Sequence, residues 1–129
     1  MRIKLNSVYV DDQDKALRFY TEVLGFVPSR DIPVGEFRWL TVRSPEGGET
    51  ELTLEPDALR AAKEFKTALF EQGIPLTAFE VDDLDAEFER LRSLSVEFTV
   101  EPKQMGPVRP AVLSDTCGNL IQIYQVHEP

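Results

Sequence analysis

The chain has 129 residues, 42% of them hydrophobic and 29% charged, with a formal net charge of −9. That length suits one globular domain whose core needs neither disulfides nor a structural metal, and the acidic balance excludes a phosphate-backbone partner, which calls for clustered Lys and Arg. Residues 1–10 contain no secretory apolar core and no stretch approaches the roughly 18 apolar residues that span a bilayer. The expectation is therefore a cytoplasmic protein with no nucleic-acid and no membrane partner, consistent with a single cysteine, Cys117, that cannot form an internal disulfide.

In chain order, Ile3 to Val10 is β-rich and runs into Asp11-Asp12-Gln13-Asp14, a polar cluster suited to a helix start. Leu17, Tyr20 and Leu24 then recur at helical spacing until Gly25 stops the helix. Three short strands follow, Phe26 to Ile32, Glu36 to Ser44 and Thr50 to Glu55, separated by Pro- and Gly-containing turns. Pro56-Asp57 opens a connecting helix over 56–71, with Leu59, Ala62, Phe65, Ala68 and Leu69 on the face expected to pack. The order then recurs: strand Leu76 to Val81, an acidic helix start with Phe88 and Leu91 in helical phase, and strands near Val96 to Glu101, Val108 to Ser114 and Leu120 to Val126.

The recurrence is visible in the residues themselves. Laying 1–55 over 72–126 at a constant offset of 71, without a gap, gives nine identities in 55 pairs, where about three are expected by chance. Among them are Asp11, Asp12 and Asp14 with Asp82, Asp83 and Asp85, and Gly35 and Arg38 with Gly106 and Arg109. The chain is thus expected to be two copies of a βαβββ module (1–55 and 72–126) within a single domain, 1–129.

With that repeat, Val10-Asp11-Asp12 followed by Ala16-Leu17-Arg18-Phe19-Tyr20 and the closing Asp115-Thr116-Cys117-Gly118-Asn119 resemble the vicinal oxygen chelate superfamily, which includes glyoxalase I, extradiol dioxygenases and the fosfomycin- and bleomycin-resistance proteins. Proline and aspartate commonly stand where this chain has Thr116 and Cys117. The resemblance implies an α+β fold in which tandem βαβββ modules form a curled mixed sheet around a small-molecule cup, and it implies a homodimer. In metal-using members a divalent ion is held from the first and last strand of each module, positions that fall here on Leu5, Glu51, Leu76 and Gln122. Leucine has no lone pair to offer. The lone histidine, His127, is read as a solvated tail residue, and Cys117, with no base beside it, as incidental. No metal and no cofactor are therefore expected.

Strand alternation sorts what lines the implied cup, because residues two apart share a face. With Val8, Val10, Leu40, Val42, Leu52, Leu54, Ile121 and Ile123 assigned to the core, Ser7, Tyr9, Trp39, Thr41, Glu51, Thr53, Glu80, Gln122 and Tyr124 become the candidate substrate-binding residues. An apolar and aromatic lining with a few polar groups suits a small organic molecule. Glu51 is expected to stay solvated, to find a cation, or to have its pKa raised by desolvation and serve as a general base. Arg38 and Arg109 are expected in structural salt bridges. The leading expectation is a metal-independent protein that binds a small organic ligand between its modules, the acidic surface being compatible with a basic one. The alternative is a metal-dependent lyase or dioxygenase of the glyoxalase type using Glu51 and Gln122. Neither reading identifies a catalytic residue.

Overall fold

A computed structural model describes residues 1–127, and its strands form two four-stranded mixed sheets in an α+β architecture. Two compact units divide the chain between Phe65 and Lys66. In the first, β1 (Leu5–Val10), β2 (Val27–Val34), β3 (Phe37–Arg43) and β4 (Glu51–Pro56) pair in the order β1-β4-β3-β2. In the second, β5 (Thr77–Glu80), β6 (Phe98–Val100), β7 (Val108–Ser114) and β8 (Leu120–Val126) pair in the order β5-β8-β7-β6. The one parallel contact in each sheet joins its first and last strands, β1 with β4 and β5 with β8. This parallel closure requires a crossover connection, which the helix after the first strand begins.

Each unit starts its helix in the same way. Asp12 accepts a hydrogen bond from the Lys15 amide at 3.0 Å ahead of α1 (Gln13–Arg18), and Asp83 accepts one from the Ala86 amide at 3.0 Å ahead of α3 (Leu84–Ser93). These carboxylates satisfy otherwise orphaned helix N–H groups. The first helix continues as a π-turn over Phe19–Val23, and Gly25, at φ 93°, ends it in a backbone region open to glycine. Val8, Val10, Leu40, Val42 and Leu54 are buried on the helix side of the first sheet beside Tyr20, and Leu113, Ile121 and Ile123 are buried with Leu84, Phe88 and Leu91 in the second unit. Phe88 meets Phe98 edge to face at 4.7 Å between centroids. The repeat also preserves an ion pair. Arg38 pairs with Asp14, and Arg109 pairs with Asp85 at 3.0 Å. Arg38 additionally takes Asp31 at 2.9 Å.

Two expectations are corrected. The constant offset of 71 fails in the last strand. Glu51 faces Leu5 and Arg43, whereas the residue facing Ser114 is Leu120, and Gln122 faces Ala78 and Val112. Glu51 therefore corresponds to Leu120, and Thr53 to Gln122, at an offset of 69. The cause is the hairpin: seven residues, 44–50, join β3 to β4, but five, 115–119, join β7 to β8. A shift of two preserves the face each side chain takes, since strand side chains alternate with period two.

The second correction concerns α2 (Arg60–Glu71), where the expected apolar face does not pack as a set: Leu59 and Phe65 are exposed, and Lys66 is buried beside Ala62. The reason lies in the β7–β8 turn. Lys66 Nζ donates to the Cys117 carbonyl at 2.7 Å, and a Cβ on Gly118 would stand 2.9 Å from Lys66 Cε. The ammonium finds a buried acceptor while the methylene stem supplies packing. Within that turn Asp115 is fully buried and accepts from the Cys117 amide at 2.7 Å and from the Asn119 amide at 3.0 Å. Thr116 sits at φ 64°, which a proline ring cannot reach, so the substitution seen in the sequence goes with a differently shaped turn.

Candidate small-molecule site

In the first unit, alternation and register bring the candidate side chains onto the sheet face away from α1. Ser7 lies opposite Thr53 and Thr53 opposite Thr41, with Tyr9 two residues beyond Ser7, Trp39 two before Thr41 and Glu51 two before Thr53. Ile32 faces Trp39 and Val34 faces Phe37 across the β2–β3 pairing, so both join this face. Leu5, Ile32, Val34, Phe37 and Trp39 are all exposed there. Most exposed large apolar side chains on a protein are scattered; this set shares one sheet face, which marks it as a surface that meets something.

At the centre of that face is a buried polar cluster. Glu51 is only 7% exposed, and its Oε1 accepts a 2.6 Å hydrogen bond from the Thr41 hydroxyl. Thr41 in turn accepts from the Arg30 amide at 3.0 Å, and Arg30 Nε stands 3.5 Å from Glu51 Oε1. The Arg30 guanidinium lies over the Trp39 ring, 4.7 Å from its centroid. Hydrogen bonds from Thr41 and Ser29, together with the Arg30 charge, outweigh desolvation and hold the Glu51 carboxyl below its usual range.

Of the three states expected for Glu51, the structure thus shows it with a cation. Burial removes it from solvent, and its lowered pKa makes it a weaker proton acceptor, so the general-base reading is withdrawn. Arg30 and Ser29 were invisible to sequence parity for a definite reason: the β2 register slips between Pro28 and Arg30, leaving Ser29 as an extra residue. A bulge breaks the alternation on which a face assignment rests.

The other three candidates share a face in the second sheet. Glu80 is opposite Tyr124, and Gln122 is two residues before Tyr124. Glu80 is exposed while Gln122 and Tyr124 are half-buried.

A divalent ion does not fit either donor set. In the first unit Leu5 stands directly opposite Glu51, whose carboxylate is already engaged by Thr41 and Arg30. In the second, Gln122 lies opposite Ala78 rather than Leu76, a displacement of two residues, about 6.6 Å along a strand. Among the described residues, no three His, Cys, Asp or Glu side chains form a group able to hold a metal ion.

The sheet order, the repeated module and the sided lining define a protein of the paired βαβββ class. The chain belongs to the Glyoxalase/Bleomycin resistance protein/Dioxygenase superfamily, whose family model matches residues 2–123. It is 52% identical over 126 residues to the uncharacterized protein YurT of Bacillus subtilis (strain 168), covering 97% of this chain and 99% of that one. Among solved structures, UcmS2 is similar at a TM-score of 0.84 and 32% identity, covering 96% of this chain and 97% of the other. TnmS3, described as an antibiotic binding protein from Streptomyces sp. CB03234, is similar at a TM-score of 0.76 and 32% identity, covering 98% and 96%. Among the described residues, no helix is long and apolar enough to cross a membrane.

Proposed function

We propose that this protein binds a small organic molecule without a metal, using the face of the first sheet that carries Trp39 and Thr41. The observation that carries the reading is the exposed aromatic and aliphatic set on the first sheet, arranged around the buried Thr41–Glu51 pair. Apolar walls with a few fixed polar groups are the ordinary makeup of a small-molecule site. Likeness to TnmS3, an antibiotic binding protein, supports sequestration of such a molecule rather than its conversion. Nothing in the polar cluster calls for turnover: its carboxylate is held ionised and its hydroxyl is already donating to it. A homodimer working in the cytoplasm completes the proposal.

Trp39 is the only tryptophan in the chain, so its emission reports on the face directly. EDTA-treated protein titrated with a panel of naphthalene and quinone derivatives should show saturable changes in that emission, and added divalent ions should leave them unaltered. A stoichiometric metal in the purified protein, or a response that appears only with metal, would overturn the reading.

A further inference from the structure

The arrangement around Trp39 constrains the ligand's charge. An organic cation entering an aromatic site takes the position over a ring face, where the quadrupole attracts it. Here that position is already occupied from within the chain, by the Arg30 guanidinium 4.7 Å from the Trp39 centroid. The carboxylate that would attract a cation, Glu51, is likewise committed to Arg30 Nε at 3.5 Å and to Thr41 at 2.6 Å. A cationic ligand would have to displace Arg30 from both.

The guanidinium itself is only partly committed. Its Nε stands nearest Glu51, and among the described residues its terminal nitrogens donate no hydrogen bond to a carboxylate or carbonyl. Two parallel N–H groups on those nitrogens match a planar oxyanion bidentately, the geometry in which arginine differs from lysine. The contact with the Trp39 ring at 4.7 Å and the Nε contact with Glu51 hold the guanidinium in place in advance, so less rotamer freedom remains to be lost on binding. The side chain is 43% exposed, which leaves it open to a ligand. Arg43 shares the face, opposite Glu51, and Glu55 lies four residues beyond Glu51 on the same side. Two cations and two carboxylates leave this face near neutral on a chain of net charge −9, and the remaining charges are screened beyond about 8 Å at physiological salt.

Building on the small-molecule reading, we propose that Arg30 is the specificity-determining residue of this face and that the ligand is an aromatic molecule bearing a carboxylate. The ring lies along the apolar side chains of Ile32 and Phe37, which the β2–β3 register places beside Trp39, and the carboxylate is taken by the open edge of the Arg30 guanidinium. Glu51 and Thr41 act as positioning residues that hold Arg30 from behind.

The test uses three probes of one shape and different charge: 2-naphthoate, 2-naphthamide and 2-naphthylmethylammonium. Binding is followed by calorimetry and by the indole N–H resonance of Trp39 in the intact protein. The expected order is naphthoate over naphthamide by at least tenfold, with the ammonium weakest. In Arg30→Gln the naphthoate advantage should fall below threefold while naphthamide affinity stays within twofold. Arg30→Lys keeps a cation beside Glu51, guarding against a folding defect, and should recover only part of the advantage because it cannot bind bidentately. Equal binding of all three probes, or preference for the ammonium, would overturn the carboxylate assignment and leave the small-molecule reading standing. If no probe moves the Trp39 resonance, both fail.

Discussion

Replacing Thr41 with valine isolates the polar cluster at the centre of the first sheet. The two side chains are nearly isosteric, but the variant loses a hydroxyl that donates to Glu51 at 2.6 Å and accepts from the Arg30 amide at 3.0 Å. A hydrogen bond to a charged group contributes about 1.5–3 kcal/mol and an ordinary one about 0.5–1.5 kcal/mol. The added methyl returns about 0.8 kcal/mol of apolar burial. The expected net loss is about 2 kcal/mol at pH 7, measured as a fall in urea midpoint with an unchanged m-value. The loss should also depend on pH, in a determined direction. The folded pKa of Glu51 is depressed, and the Thr41 hydrogen bond is the first cause. A depressed carboxylate contributes stability that is fully present above its unfolded pKa of about 4.3 and is lost as pH falls through the lower folded value. The gap between wild type and Thr41→Val should therefore be widest near neutrality and narrow below about pH 4. A loss under about 0.5 kcal/mol, or a gap that stays constant from pH 7 to 3, would refute the account of this cluster.

Three further outcomes follow from the fold. Leu54→Ala and Ile123→Ala, at register-equivalent core positions, should each cost about 2–5 kcal/mol in chemical unfolding; Gln125→Ala, the position that a constant offset would match to Leu54, should cost about 1 kcal/mol, for one hydrogen bond to the Leu84 amide. Arg38→Met should lower stability by about 1 kcal/mol and more than Arg109→Met does, because Arg38 holds two carboxylates and Arg109 one; 0.5 M salt should shrink the difference, and equal losses would contradict it. Gly118→Ala should cost about 1–3 kcal/mol and exceed Gly47→Ala, since both sit at positive φ but only Gly118 lies against Lys66. Thermal unfolding of the pair checks this.

Much of the architecture was legible in the residues because it is written as periodicity. Asp12 and Asp83, each ahead of an apolar helical stripe, are local patterns that fix helix starts before any packing is known, whereas the salt bridges expected of Arg38 and Arg109 received their partners, Asp14 and Asp85 at 24 residues' separation, only from the fold. The face assignments of Trp39, Thr41, Glu51 and Thr53 were equally readable, since alternation within an unbroken strand survives folding.

What the sequence by itself determined is therefore the duplicated module, its helix starts and the side of each regular strand that faces the core, all consequences of backbone geometry acting over a few residues. Only the tertiary structure decided what crosses those local patterns. The bulge at Ser29 turned Arg30 onto the Trp39 ring, the short 115–119 turn shifted Gln122 away from Leu76, and the Cys117 carbonyl drew Lys66 inward where Phe65 was expected. Each depends on a partner brought close by the fold or on a loop whose length changes register, and neither periodicity nor composition carries that information.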